Sequence, residues 1–203
     1  MTSPSRDARF KEEVSNEVAK FVGTLAAESE RSAVVLGSAR IDLALERLLK
    51  SVMRHHPGGS DDLFDQDRPL SMFSAKISLC HRLGIIDPDF EHALQMLRKI
   101  RNDFAHSEKK ESLDDSRHKN RVREIVKEMQ KASAWKNMYP AVCAGIKTQT
   151  LADLSTALAV MIILLEIASH LNQRISFTYP ISLDARGDQE DLKKGTMGVP
   201  TEA

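Results

Sequence analysis

Nine consecutive apolar residues, 157–165, constrain this chain more than any other feature of its sequence. They lie within residues 151–174, whose spacing predicts a helix, and Asp153 and Glu166 bracket the run. A bilayer demands about 20 predominantly apolar residues in succession, so the run is too short to cross one. A helix that is apolar on every side must be covered on every side, in a core or in a seam between two copies. The rest of the chain therefore has to supply covering helices.

It does so repeatedly. Phe10, Val14, Val18, Phe21 and Leu25 recur at helical spacing over 6–28. Ser29 or Ser32 is suited to cap a second helix, carried to about residue 55 by Ile41, Leu45, Leu48 and Val52. His56-Pro57-Gly58-Gly59-Ser60 stops it. Ser71 is placed to cap a short helix ending at Leu83, with Gly84 as its terminator. Asp87-Pro88 pairs a capping acid with a proline at the first helical position, and the helix it opens runs to about residue 107. A polar stretch over 108–116 leads into a helix at 117–132, marked by Val122, Ile125, Val126 and Met129. Residues 133–149 contain Pro140 and Gly145 and are expected to be irregular, pinned by Trp135 and Tyr139. A short extended segment is expected at 175–183. The fold class is all-α: one bundle of five or six helices over 6–183, between a flexible N-terminus at 1–5 and a disordered tail at 184–203.

Composition narrows the partners. Lys+Arg and Asp+Glu stand at 29 each, so no global field draws the chain to nucleic acid or to an anionic membrane. RNA binding would need a local basic patch. Aromatic residues at 5% argue against an RNA-stacking sheet. Cys80 and Cys143 are far apart in apolar contexts and read as buried thiols, without a disulfide or zinc site. His81, His92, His118 and His170 lack metal-ligand spacing, and no glycine-rich phosphate loop is present, so neither metal nor cofactor is expected. The N-terminal residues have no apolar core of a signal peptide, which makes the cytoplasm the expected location.

The chemistry concentrates in Met96-Leu97-Arg98-Lys99-Ile100-Arg101-Asn102-Asp103-Phe104-Ala105-His106-Ser107. At about 100° per residue, Ala93, Leu97, Ile100 and Phe104 share one side, which faces the core. Arg98, Asn102 and His106 follow at i, i+4 and i+8 as a polar ridge, and Arg101 falls on the border between the two. RNA carries its own nucleophile in the 2′-hydroxyl. A protein that cleaves it needs a group to move a proton, such as histidine, and a donor fork for the phosphate, such as arginine.

Arg101, four intervening residues and His106, with an amide directly after the arginine, resemble the motif of the HEPN superfamily. "LGSARIDLALERLL" and "DRPLSMFSAKISLCHRLGIIDPDFEHALQMLRKIRNDFAHS" are similar, more narrowly, to its mannitol-operon-repressor-like branch. The resemblance covers roughly residues 36–107, with a weaker match near 151–174. It implies an all-helical domain that often acts as a metal-independent ribonuclease, with Arg101 and His106 at a cleft between two copies and a 2′,3′-cyclic phosphate product. Asn102 would assist, Arg98 could bind backbone, and Arg117, Lys119 and Arg121 of the basic run 117–127 could bind the substrate strand. The expected partners are a second copy, RNA, and an antitoxin or regulatory protein, with no membrane. Two readings stay open: a toxin or stress-effector endoribonuclease, and a non-catalytic regulator similar to the mannitol operon repressor. In the second, Arg101 would pair with Asp42 or Glu46, which share one face of the preceding long helix.

Overall fold

The computed structural model describes residues 6–54, 58, 62–107, 111–146, 148–172 and 174–175. Among them it contains seven helices and no strand: α1 (Arg6–Ala27), α2 (Glu30–Val52), α3 (Phe73–Arg82), α4 (Pro88–His106), α5 (Ser116–Met129), α6 (Ser133–Gly145) and α7 (Gln149–Leu171). The all-α expectation holds, with one helix more than the upper count. The expected end segments at 1–5 and 184–203, and the extended segment at 175–183 beyond Ile175, lie outside the described residues.

Helix α7 is the axis of the bundle. Helices α1, α2, α5 and α6 all pack against it, and of its large apolar side chains only Leu164 and Leu171 stand exposed. Taken whole, α7 is long and apolar enough to cross a membrane. Most of its apolar surface is instead spent inside the bundle. Helix α4 belongs to a second layer, resting on α2, α3 and α5 through Ala93, Leu94, Leu97, Ile100 and Phe104.

Local signals set most of the boundaries. Ser29 caps α2, its hydroxyl accepting from the Ser32 amide at 3.1 Å. Asp87 caps α4 by accepting from the Phe90 amide at 2.7 Å, with Pro88 at the first position. Gly84 follows α3 with φ +69°, the left-handed conformation that a glycine adopts at no steric cost. Ser71 does not cap α3. Its hydroxyl donates to the Arg68 carbonyl at 2.8 Å, and Met72 occupies the cap position without a side-chain bond.

The expectation of irregular chain over 133–149 is also corrected, because 133–145 form α6 around Pro140. A proline inside a helix removes one bond to the carbonyl four residues back. That carbonyl belongs to Lys136, and both Lys136 and Pro140 are exposed, so water can take the place of the lost donor. Packing on α7 decides the rest: Val142 is buried, Trp135 stacks on Tyr139 at 5.2 Å, and the Tyr139 hydroxyl donates to Asp153 Oδ1 on α7 at 3.0 Å.

At Gly37, α2 comes close to Leu158 of α7. A Cβ there would overlap Leu158 Cδ1 and crowd Cδ2 at 3.3 Å, and Leu158 is itself buried. At Gly23, an exposed position of α1, a Cβ would meet nothing within 4 Å. Alanine is worth up to about 1 kcal/mol over glycine in a helix, whereas overpacking a core costs about 1–3 kcal/mol. Gly37→Ala should therefore lower the unfolding free energy by about 1–2 kcal/mol in urea titration, and Gly23→Ala should raise it by about 0.5–1 kcal/mol.

Candidate functional site

The polar ridge of α4 is formed as the sequence predicts. Arg98 and Asn102 are half-buried, and His106, the last residue of the helix, is exposed. Arg98 Nε donates to Gln95 Oε1 at 2.9 Å, and Gln95 in turn donates to Glu91 at 2.8 Å. Arg101 is exposed rather than on the border. Arg101, Asn102 and His106 make no side-chain hydrogen bond or ion pair among the described residues. Five residues of helix set Arg101 and His106 about 140° apart around the axis and about 7.5 Å apart along it. Side chains that diverge so far do not close on one phosphate from a single helix.

Asp103 lies about 200° around the helix from Arg101, on the flank that meets α5. Its Oδ2 accepts from Arg121 Nη1 at 2.6 Å and lies 3.4 Å from Arg117 Nη2. Arg117 also reaches Glu111 Oε2 at 3.3 Å. Two of the three basic residues expected to bind a substrate strand are thus already paired with acids. Only Lys119 of that set is exposed without an acid among the described residues. Sequence reasoning used Asp103 for nothing. The signal was there in retrospect: an acid on the α4 flank facing a helix with Arg117 and Arg121 one turn apart.

Between α4 and α5 the described residues are 107 and 111–115. The described part is tied down at several points. Arg31 Nη2 of α2 donates to the Ser107 carbonyl at 3.0 Å, and the Leu113 amide donates to Glu30 Oε2 at 2.9 Å. Thr150 Oγ1 of α7 donates to Asp114 Oδ1 at 2.5 Å, and the Leu113 side chain is fully buried. Glu111 Oε2 lies 2.8 Å from Nε2 of His118, whose ring is fully buried beside Phe104. The bond from His118, a further one from Ser107, and the charge of Arg117 hold the Glu111 carboxyl below its ordinary pKa.

Asp42 and Glu46 do share a face of α2, but they hold Lys76 of α3 and not Arg101. Lys76 Nζ lies 3.0 Å from each acid, and its side chain is 4% exposed. Their expected place beside Arg101 is therefore corrected: α3 inserts a lysine there and leaves the arginine in solvent. Among the described residues, no three His, Cys, Asp or Glu side chains converge to hold a metal ion. A hollow of about 260 Å³ between α1 and α6, lined by Val22, Gly23, Met138 and Val142, contains none of the ridge residues. No family model, curated protein or solved structure matches the chain.

Lys76 provides a test of the electrostatics beneath the site. Burial raises the pKa of Glu46, and hydrogen bonds and charge from Lys50 and Lys76 overcome that effect, so its pKa lies below the ordinary 4.5. A carboxyl depressed in the folded state stabilises it above the unfolded pKa, and that contribution is lost as pH falls through the folded value. Lys76→Ala leaves two partly buried acids side by side and should cost about 2–3 kcal/mol at neutral pH. Urea midpoints measured downward from pH 7 should fall below about pH 4.5 in the wild type, and less steeply in Lys76→Ala.

Proposed function

We propose that this chain is a metal-independent endoribonuclease of the HEPN type, acting as a dimer with its site on the outer ridge of α4. The observation that supports this reading is selective pairing. Arg98, Asp103, Arg117 and Arg121 are all engaged within the chain, while exposed Arg101 and His106 and half-buried Asn102 have no side-chain partner among the described residues. Those three groups are the ones that cleavage at a 2′-hydroxyl requires. His106 takes the proton from the 2′-oxygen or returns one to the 5′-oxygen that leaves. Arg101 presents a planar fork of donors to the phosphate oxygens as charge builds on them. Asn102 orients either the phosphate or the imidazole through its amide. Because Arg101 and His106 diverge around one helix, the reading needs a second copy of α4, so that the arginine of one chain meets the histidine of the other.

A non-catalytic regulator similar to the mannitol operon repressor is the second reading. It is favoured by a different observation: Asp103 and Glu111 neutralise Arg117 and Arg121, two of the basic residues of the α5 run.

Incubation of the purified chain with total RNA and a labelled single strand in EDTA separates the two. The expected outcome is cleavage leaving cyclic-phosphate ends, reduced at least about 100-fold in His106→Ala and in Arg101→Ala. A folded protein that cleaves no RNA tested favours the regulator. Cleavage that survives both substitutions removes these residues from the site.

A further inference from the structure

Seven large apolar side chains stand exposed among the described residues, and three of them, Val35, Leu36 and Leu43, belong to α2. Single exposed apolar residues are ordinary on a monomer, whereas a contiguous patch marks a surface that something covers. At about 100° per residue these three fall within about 60° of Ala39, itself exposed, and make one stripe along the helix. A fourth, Met72, is 66% exposed and extends it. Lys76 of α3 reaches Asp42 and Glu46, and the chain after α3 lines a hollow beside Leu48. Helix α3 therefore runs in the same direction as α2, and Met72 at its start is level with the middle of that helix.

The neighbouring charges are all turned away from the stripe. Arg40 pairs with Glu17 and Glu166, Arg47 with Glu166, and Asp42 with Lys76. Over about three turns, from Ser32 to Leu43, the outward positions carry a serine, an alanine and the three large apolar residues.

Such a stripe is complementary to itself. A two-fold axis crossing α2 at Ala39 sets that residue against its counterpart and Val35 in one layer with Leu43 of a second copy, the helices antiparallel. The same axis puts Ser32 in a layer with Glu46, a hydroxyl with a carboxylate. It also brings Lys50 to the turn between α1 and α2, where Glu28 is exposed. The small side chain at the crossing lets the helices approach to the near end of the usual range of about 8–10 Å.

The stripe borders the site as well. Helix α4 runs antiparallel to α2: Arg31 holds the Ser107 carbonyl at one end, and Leu48 and Phe90 line one hollow at the other. Arg101 is therefore level with Gly37, on the flank of α4 away from Asp103 and α5. An axis that crosses α2 leaves both copies of α4 on the same side of the α2 pair, bordering one cleft.

We propose that the outer face of α2, centred on Ala39 and carrying Val35, Leu36 and Leu43 with Met72 beside it, is where a second copy of this chain docks, antiparallel about a two-fold axis. The surface itself does not depend on the nuclease reading; what the two α4 helices do beside it rests on that reading.

Sedimentation equilibrium of the full chain reads the oligomeric state, and mild oxidation followed by non-reducing electrophoresis reads the register. The wild type should be dimeric at about 10 µM. Leu43→Glu and, separately, Val35→Glu should weaken dimerisation at least about 100-fold. Their helical circular dichroism should not change, because both side chains are already exposed in the single chain. In a Cys143→Ser background, which removes the half-exposed native thiol, Ala39→Cys should form a disulfide-linked dimer, its counterpart lying directly across the axis. Leu43→Cys should not, because the two copies of that position lie eight residues apart along the pair, about 12 Å.

A wild type that is monomeric at about 100 µM overturns the proposal. So does a dimer that Leu43→Glu and Val35→Glu both leave intact, or cross-linking through Leu43→Cys without cross-linking through Ala39→Cys. RNA cleavage by such an unaffected dimer sinks the surface and leaves the nuclease reading standing. A dimer that responds as stated and cuts no RNA does the reverse.

Discussion

The bundle is organised by the need to keep α7 away from water. A side chain moved from water to a protein interior gains roughly 25 cal/mol per Å² of apolar surface, and α7 offers apolar surface all the way round. Four helices are consumed in covering it. Once α1, α2, α5 and α6 are in place, α3 and α4 have only the outer sides of α2 and α5 to rest on, and α4 is left with one buried side and one side in solvent. The outward ridge of Arg98, Asn102 and His106 is thus a consequence of where the apolar run of α7 lies. The charge at the far end of that run is handled in the same way. Glu166, 14% exposed, is met by Arg47, and Arg40 lies 3.8 Å away while also pairing with Glu17 of α1, so α1, α2 and α7 share one paired cluster.

What could be read from the sequence was what depends on neighbours in sequence. The caps at Ser29 and Asp87, the glycine stop at Gly84 and the buried side of α4 all follow from residues within a turn or two of each other. What could not be read depends on which helix packs beside which. Pro140 and Gly145 argue locally against a helix, and packing on α7 outweighs them. Asp42 and Glu46 were placed on one face correctly, but their partner is Lys76 on α3, and nothing in the local pattern says that a lysine from a later helix arrives there. Asp103 and His118 were given no role for the same reason. Asp103 pairs with Arg121 across the α4–α5 seam, and the His118 ring packs on Phe104 across it, contacts that only the fold supplies.

The neutrality of the chain as a whole has a local counterpart. Around α4 and α5 several of the charges are resolved into pairs, with Asp103 serving two arginines and Glu111 serving an arginine and a histidine. Exposed pairs of this kind contribute about 1 kcal/mol or less to stability, so their larger effect is on what else the arginines can do. A phosphate arriving at Arg117 or Arg121 must displace Asp103, and so gains less than it would from an unpaired cation. Binding through a row of unpaired cations would be strong, indifferent to sequence and steeply dependent on salt.

On the nuclease reading, that restraint is useful. A surface that grips any RNA backbone spends its time on strands it cannot cut, since affinity shared by all substrates does nothing to favour the transition state. With Arg117 and Arg121 occupied, Arg101 is a cation of the α4 ridge left unpaired, and it is to meet the histidine that must act across the two chains. Selection of the RNA then falls more to the groups nearest the scissile bond and to the geometry that brings two α4 ridges together, because part of the flanking charge is already cancelled inside each chain.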